Sequence, residues 1–253
     1  MSIAFFHMAS VYPKATEQIV AAARQYHKKE YYFLGVDNTF SYQTVADKYK
    51  TDYKYYHSKL GGPQGDYGYR LDGTIEFLKR FRTACILSRS SHIIMMEDDV
   101  LIVKPITVNP SWEHACADTI IGNVIPESVH DLIEQHCGKR PKFKQYGAGG
   151  GSIFKVSTFL DNFDSNIKWF ENHFDEIQSY YPTIGYIDCF MNVYYYLCGK
   201  DYSVNPYRAD THNHQPGFDY DNFVDELPKE IEIVNNYKKY YWMNDDTITI
   251  KLV

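Results

Sequence analysis

The feature that most constrains the fold is a short apolar run that ends in three consecutive carboxylates. Residues 93–96 read Ile-Ile-Met-Met, long enough for a buried strand, and Glu97, Asp98 and Asp99 follow directly. Two unit charges about 5 Å apart repel by about 1 kcal/mol in water and about 3 kcal/mol at an effective dielectric constant near 20. A partly buried triplet therefore needs a proton or a metal ion. Such oxygen ligands suit Mg²⁺ or Mn²⁺, which commonly bring a substrate phosphate with them.

Strand and helix patterns alternate along the chain. We predict strands at 3–8, 31–36, 54–56, 92–96, 119–125, 202–205 and 247–252, and helices at 16–27, 42–50, 71–90, 126–136, 157–180 and 188–198. This alternation indicates parallel βαβ units, so we expect an α/β fold with a mostly parallel, twisted central sheet flanked by helices. The three acids then lie at the carboxyl end of a strand, the edge where open α/β sheets bind ligands. The glycine-rich segment 61–68 is either a mobile lid or a plain surface connection.

Composition and charge exclude several classes of function. The net charge is −6 and the basic residues are scattered among acids, so no basic surface for nucleic acid is expected. No apolar run approaches the ~18 residues of a membrane span, and the apolar start of the chain lacks the charged flank of a signal peptide. The five cysteines are odd in number and lack CxxC spacing, which favours free thiols in a reducing compartment. We therefore expect a cytoplasmic protein without an integral membrane segment.

Three features in this order resemble one known family. The triplet Glu97-Asp98-Asp99, the glycine-rich segment 147–151 about fifty residues later and Asp188 beyond it resemble a glycosyltransferase of the A-type nucleotide-sugar fold, GT-A, over residues 3–214. The triplet matches that family's DxD element. The resemblance implies that Asp99 holds a divalent cation, that Asp98 contacts the ribose and that Glu97 lies close to the donor sugar. It also implies one GT-A-like domain over 1–253, with 1–105 as the nucleotide-sugar-binding half and 106–253 as the acceptor-binding half with a C-terminal tail.

The resemblance also implies how the cation site is completed. Members of the family often use a C-terminal histidine as a further ligand, and His212 and His214 stand where such a ligand is expected. Ordinary surface histidines are the alternative for both. A cation held there, Mn²⁺ or Mg²⁺, would neutralise the leaving nucleoside diphosphate as the sugar–oxygen bond breaks.

The glycine-rich segment fits neither common phosphate-binding loop. It lacks the Lys-Ser/Thr of a Walker motif and the spacing of a dinucleotide turn. In the resembling family, glycines here let donor and acceptor sugars approach the backbone, which implies such a role for Gly149 and Gly150; a bulged strand is the alternative. Trp169 is a candidate acceptor platform, although aromatic residues at helical spacing also form cores.

Asp188 stands where inverting members of the family carry a catalytic carboxylate. Such a base takes the proton of the acceptor hydroxyl as its oxygen attacks the anomeric carbon. The residue is also a good N-cap for the predicted helix 188–198, and the two interpretations remain open. The family shows an acidic pair at this point, whereas here Ile187 precedes Asp188, which leaves a retaining reaction possible.

Further residues resemble nucleotide-binding positions. Ser10 and Tyr12 follow the first predicted strand, Asp37 follows the second, and Asp72 and Arg80 lie on the helix 71–90. Turn chemistry or a solvated surface is the favoured explanation for each of them taken singly, and only together do they indicate a nucleotide site. Glu76 with Arg80 also forms an i,i+4 pair that would stabilise the helix on its own.

The resemblance therefore implies a metal-dependent glycosyltransferase that moves a sugar from a nucleoside diphosphate to a glycan or glycoconjugate hydroxyl, and it favours UDP over GDP. A phosphatase of the haloacid-dehalogenase type is the main rival, but its nucleophile is the first acid of the motif, where Glu97 stands. A nucleotidyltransferase needs a glycine-rich basic turn after the first strand, which residues 7–14 do not offer. A non-catalytic carbohydrate-binding protein on the same fold stays open.

Overall fold

The computed structural model describes residues 1–37, 40–57, 70–116, 124–144, 149–180, 186–211 and 217–240. The strands are β1 (Ile3–Ala9), β2 (Tyr31–Val36), β3 (Asp52–Tyr55), β4 (His92–Met96), β5 (Leu101–Ile102), β6 (His114–Cys116), β7 (Ile153–Lys155), β8 (Ser203–Val204), β9 (Arg208–Asp210) and β10 (Ile233–Asn235). The helices are α1 (Pro13–Tyr26), α2 (Gln43–Tyr49), α3 (Leu71–Ser88), α4 (Glu127–Cys137), α5 (Val156–Asp161), α6 (Phe163–Tyr180), α7 (Tyr186–Leu197) and α8 (Tyr220–Asp225), followed by a 3₁₀ turn (Lys238–Tyr240).

The main sheet has seven strands in the order β3-β2-β1-β4-β7-β6-β8. The pairs β2–β3, β1–β2, β1–β4 and β6–β8 are parallel, while β7 runs antiparallel to both β4 and β6. The predicted fold class, a mostly parallel α/β sheet flanked by helices, is confirmed. Because β1 and β4 are parallel neighbours, their carboxyl ends lie side by side and present one edge to a ligand.

The two faces of the sheet are buried in separate apolar clusters. Phe6 of β1 packs on one face with Phe77 and Phe81 of α3, in a cluster that also contains residues of α4 to α7. Phe5 packs on the opposite face with Ile19 of α1, in a cluster that also contains residues of α2. Consecutive side chains of a strand point to opposite faces, so the apolar run of β1 contributes to both clusters.

The predicted elements match the structure best where apolar runs are long. The bounds of β2 and β4 are as predicted, and the helices α1, α3 and α4 begin or end within a few residues of the predicted bounds. The predicted helix 157–180 is divided into α5 and α6. The predicted strand 247–252 and the glycine-rich segment 61–68 lie outside the described residues, as do most residues of the predicted strand 119–125; the strand found nearby is β6.

A second, three-stranded sheet brings the C-terminal part of the chain to the acids. Its strand order is β5-β10-β9, and β5 begins two residues after Asp99. Asn235 is paired with Asp210 in the register of β10 and β9, and the Tyr237 N–H donates a hydrogen bond of 2.8 Å to the Asp99 carbonyl. Residues more than a hundred positions later in the sequence therefore line the same edge.

Within the described ranges, every helix is either too short or too polar to span a lipid bilayer.

Candidate active site at the sheet edge

The middle acid of the triplet, Asp98, is a fully hydrogen-bonded anchor. Its Oδ1 accepts from His7 Nε2 at 3.0 Å and Thr16 Oγ1 at 2.5 Å, and its Oδ2 accepts from the backbone N–H of Ser10 at 2.7 Å and of Val11 at 2.9 Å. Burial by itself raises the pKa of Asp98, but these donors, the His7 contact foremost, outweigh burial and hold the pKa below its ordinary value. Asp98 therefore ties the loop after β1 to the end of β4.

This anchoring fixes the loop that contains Ser10 and Tyr12. The Val11 carbonyl accepts from the Tyr42 hydroxyl at 3.0 Å, and the Tyr12 ring meets Phe40 edge-on. The loop is thus held at the carboxyl end of β1 as predicted for a nucleotide-binding segment, and its nucleotide contacts stay a prediction. Both oxygens of Asp98 are already engaged by the protein, and its ribose contact likewise stays a prediction.

The next acid, Asp99, is equally buried but poorly partnered. Its side chain is 4% exposed, and Oδ1 has no hydrogen-bond partner among the described residues. Burial raises the pKa of Asp99 to about 6; Lys238 opposes the shift, and the charges of Asp98 and Asp188 add to it. A buried acceptor of this kind is a group that a cation or a donor would satisfy.

Glu97 and Asp188 complete a cluster of acids around two glycines. Burial, with Asp188 and Asp99 nearby, raises the pKa of Glu97 well above its ordinary value. A Cβ on Gly149 would collide with the Asp188 carboxylate, and a Cβ on Gly150 would lie 2.8 Å from Glu97 Oε2. The glycines therefore make room for the carboxylates themselves. Whether sugars also approach Gly149 and Gly150 stays a prediction.

Asp188 lies inside a helix rather than at its cap. The helix α7 begins at Tyr186, so Asp188 belongs to the first turn and the N-cap interpretation is wrong. Burial raises the pKa of Asp188 to about 6, against the lowering effects of a backbone hydrogen bond from Gly149 and of the Arg208 charge. A carboxyl with such a pKa is mostly ionised at neutral pH yet more basic than an ordinary aspartate, which suits general-base chemistry.

Two residues of the small sheet that the sequence did not single out, Arg208 and Asn235, lie beside this cluster, and Asp210 holds both of them. Arg208 is buried, and its positive charge acts on Glu97 and Asp188. Asp210 accepts from Arg208 Nη2 at 3.2 Å and from Asn235 Nδ2 at 2.8 Å. The sequence offered little to identify Arg208 and Asp210, because a three-residue strand with two charged residues cannot be distinguished from an exposed polar segment.

A second buried charge pair lies at the end of β2. Arg80 Nη1 donates to Asp37 Oδ2 at 2.9 Å, its Nε donates to Glu76 at 3.0 Å, and its guanidinium lies 3.8 Å from the centre of the Tyr56 ring. Arg80 is 1% exposed, so the surface-solvation interpretation of this residue is wrong. Helical periodicity puts Arg80 on the polar face of α3, which the sequence analysis took to be solvated. Sequence spacing cannot reveal that the end of β2 covers that face.

Known proteins were compared with this chain by sequence and by structure. No family model and no curated protein matches the sequence. Among solved structures, the galactosyltransferase LgtC in complex with donor and acceptor sugar analogues matches with a TM-score of 0.50 and 11% identity, over 93% of this chain and 86% of that one. The chain has a GT-A-like fold. The bifunctional glycosyltransferase WbbM also matches, with a TM-score of 0.50, 9% identity and 97% of this chain, which spans 46% of WbbM.

The resemblance of the acid triplet to a DxD element predicts a divalent cation, and the residues present are compatible with one. Asp99 offers a buried oxygen that lacks a partner among the described residues, in a cluster of acids that an added positive charge would stabilise. In the described ranges no group of three or more His, Cys, Asp or Glu side chains is arranged to hold a metal. The predicted ligands His212 and His214 lie outside the described residues. The metal site stays a prediction.

Two predicted residues lie apart from this cluster. Asp72 is exposed in the first turn of α3 and pairs with Arg70 at 3.0 Å. Trp169 is 4% exposed in α6 and packs edge-on against Phe170. Burial of the indole supports the core interpretation, while the roles of Asp72 in nucleotide binding and of Trp169 as an acceptor platform stay predictions.

Proposed function

We propose that this chain is a metal-dependent glycosyltransferase that moves a sugar from a nucleoside diphosphate to a hydroxyl of a glycan or glycoconjugate. UDP-sugars are the favoured donors. The observation that carries the proposal is Asp99 Oδ1, a buried oxygen lacking a partner in the described part of the chain, at the carboxyl edge of a GT-A-like sheet. That edge is where open α/β sheets bind ligands.

Asp99 would hold Mn²⁺ or Mg²⁺, with His212 or His214 as the further ligand that the family resemblance implies. When bound, the cation supplies positive charge that neutralises the departing diphosphate. The loop around Ser10 and Tyr12, held by Asp98, would receive the nucleotide beside it.

Asp188 is the candidate base. The pKa of Asp188, raised to about 6, leaves its carboxylate largely ionised above that pH, so it would accept the proton of an acceptor hydroxyl in an inverting reaction. Arg208 would keep this carboxylate oriented and ionised beside Glu97. In a retaining reaction Asp188 would instead stabilise positive charge at the anomeric carbon.

The first experiment measures thermal stability with UDP, GDP, CMP and ADP, each with Mn²⁺ and with EDTA. A ligand at 100 times its Kd adds about 2.7 kcal/mol to the free energy of unfolding. We expect UDP to stabilise the protein in Mn²⁺ and not in EDTA. Stabilisation by another nucleotide would revise the donor, and no response to any nucleotide would contradict the proposal.

Asp99→Ala tests the metal ligand. The variant should fold, because Asp99 Oδ1 accepts no hydrogen bond from the described residues. It should lose the Mn²⁺-dependent nucleotide response, because the proposed metal ligand is gone. Asp131→Ala is the matched control, since Asp131 is an exposed acid of α4 that pairs with Arg140. Undiminished turnover in Asp99→Ala would exclude Asp99 as the ligand.

The phosphatase rival is separated by substrate. A haloacid-dehalogenase-type enzyme would hydrolyse a simple aryl phosphate with Mg²⁺ and no nucleotide. We expect no such hydrolysis, because Glu97 stands where that chemistry needs an aspartate nucleophile.

A further inference from the structure

One buried amide beside the acids has an oxygen without a partner. Asn235, the last residue of β10, is 4% exposed. Its Oδ1 is buried and accepts no hydrogen bond from the parts of the chain that the structure describes. Buried polar atoms in native proteins are nearly always hydrogen-bonded, so an unpaired one points to a ligand or a water.

The orientation of this amide is determined by its other end. Asn235 Nδ2 donates to Asp210 Oδ1 at 2.8 Å, and the same carboxylate accepts from Asn236 and Arg208. An ionised carboxylate only accepts hydrogen bonds, so the amide nitrogen must face Asp210. The oxygen must therefore face the opposite way, towards the candidate active site.

The oxygen lies close to Gly150, on the side where this residue has no side chain. A Cβ on Gly150 would lie 2.6 Å from Asn235 Oδ1 and 2.8 Å from Glu97 Oε2, so the two oxygens are separated by at most the sum of those distances. Two acceptors at such a separation suit two neighbouring hydroxyls of a sugar ring, each donating to one oxygen. The Arg208 charge near Glu97 disfavours a second cation at this point.

We propose that Asn235, together with Glu97, accepts hydrogen bonds from adjacent hydroxyls of the transferred sugar. Asn235 is then a specificity-determining residue of the donor site. This inference rests on the proposed function and adds to it a side chain that selects the sugar rather than the nucleotide. A site built to bind a hydroxyl discriminates strongly against an analogue that lacks it, because its buried acceptor is left unpaired.

The test compares two variants by calorimetry in Mn²⁺. Asn235→Leu keeps the branched shape of the side chain and removes both the acceptor and the Nδ2 donor to Asp210. Asn236→Gly is the matched control: it removes the neighbouring amide that donates to the same Asp210 oxygen, at a backbone φ of 59° that glycine tolerates. The ligands are the nucleoside diphosphate selected by the thermal panel, its glucose, galactose and N-acetylglucosamine derivatives, and Mn²⁺ alone.

We expect Asn235→Leu to weaken the best nucleotide sugar by roughly 10- to 100-fold and to leave the nucleoside diphosphate and Mn²⁺ unchanged. Asn236→Gly should change none of them. Equal affinity of wild type and Asn235→Leu for the nucleotide sugar would overturn the inference, and so would a parallel loss of Mn²⁺ or nucleotide binding, which would place the amide in the metal or nucleotide site.

A second measurement needs only the wild-type protein, so it tests the inference even when Asn235→Leu does not fold. Deoxy analogues of the nucleotide sugar, each lacking one hydroxyl, should include two adjacent positions whose removal weakens binding about tenfold. Uniform affinity across the analogues would overturn the inference while nucleotide binding persists. A wild-type protein that ignores every nucleotide would instead mark failure of the proposed function.

Discussion

Two neighbouring acids at the end of β4 experience opposite surroundings at the same depth. Asp98 is 1% exposed and Asp99 is 4% exposed. Asp98 receives four hydrogen bonds, from two side chains and two backbone N–H groups, and its pKa is lowered. Asp99 has an oxygen without a partner in the described residues, and its pKa is raised to about 6. The supply of donors, and not burial, decides whether a buried carboxylate is a structural anchor or a group prepared for a cation.

The largest effect should come from removing the anchor. We expect Asp98→Asn to lower the free energy of unfolding by about 3–5 kcal/mol, because an amide cannot accept from all the donors that surround Asp98. Urea unfolding measures the change. The control Asp72→Asn should change the free energy of unfolding by less than about 0.5 kcal/mol, because the salt bridge of Asp72 with Arg70 is exposed and contributes little. Equal losses in the two variants would remove the basis of the comparison.

A slightly smaller loss of stability is expected when the buried acid Asp37 loses its partner Arg80. Arg80→Met should lower the free energy of unfolding by about 3 kcal/mol, because Asp37 keeps a buried charge without its guanidinium. The double variant Asp37→Asn with Arg80→Met should recover much of that loss in a double-mutant cycle. Additive losses in the cycle would show that the two residues do not act as a pair.

A buried histidine behind the cluster extends the comparison to acid pH. His114 stacks on Phe154 with ring centres 4.5 Å apart, and burial, with Arg208 adding, lowers its pKa to about 3. In the unfolded chain this histidine takes up a proton as pH falls below about 6.5, whereas in the folded protein it does not. The contribution of His114 to the free energy of unfolding is therefore fully present above that pH and decreases below it.

His114→Phe should remove this part of the acid sensitivity. Between pH 7 and 4.5 the wild type should lose roughly 2 kcal/mol more than the variant in urea titrations. Parallel pH profiles for the two proteins would contradict the lowered pKa.

The smallest effect, of opposite sign, is expected at Asp99. In EDTA, Asp99→Asn should raise the free energy of unfolding by about 1 kcal/mol, since it removes one of several neighbouring negative charges, and Oδ1 accepts no hydrogen bond from the described residues that the substitution could break. Thermal unfolding in EDTA measures the change. A loss comparable to that of Asp98→Asn would mean that both acids are anchors.

The sequence was informative where a pattern is local. The apolar runs of β1, β2 and β4 and the periodicity of α3 were sufficient for the α/β class, and the placement of Glu97, Asp98 and Asp99 at a strand end followed from the abrupt change in polarity. Strand bounds late in the chain were less accurate, because strands of two or three residues such as β8 leave almost no periodicity to detect.

What only the tertiary structure decided was which polar groups meet. Asp98 meets His7 and Thr16, Arg80 meets Asp37, and Asn235 meets Gly150. Each of these contacts joins residues that lie from 43 to 91 positions apart in the sequence. No sequence spacing encodes such contacts. The apolar pattern of the chain determined its sheet and placed the acids at a strand end. The packing of β1, the loop after it and α1 against the end of β4 determined that Asp98 receives donors while Asp99 Oδ1 receives none among the described residues, because donors come from distant segments.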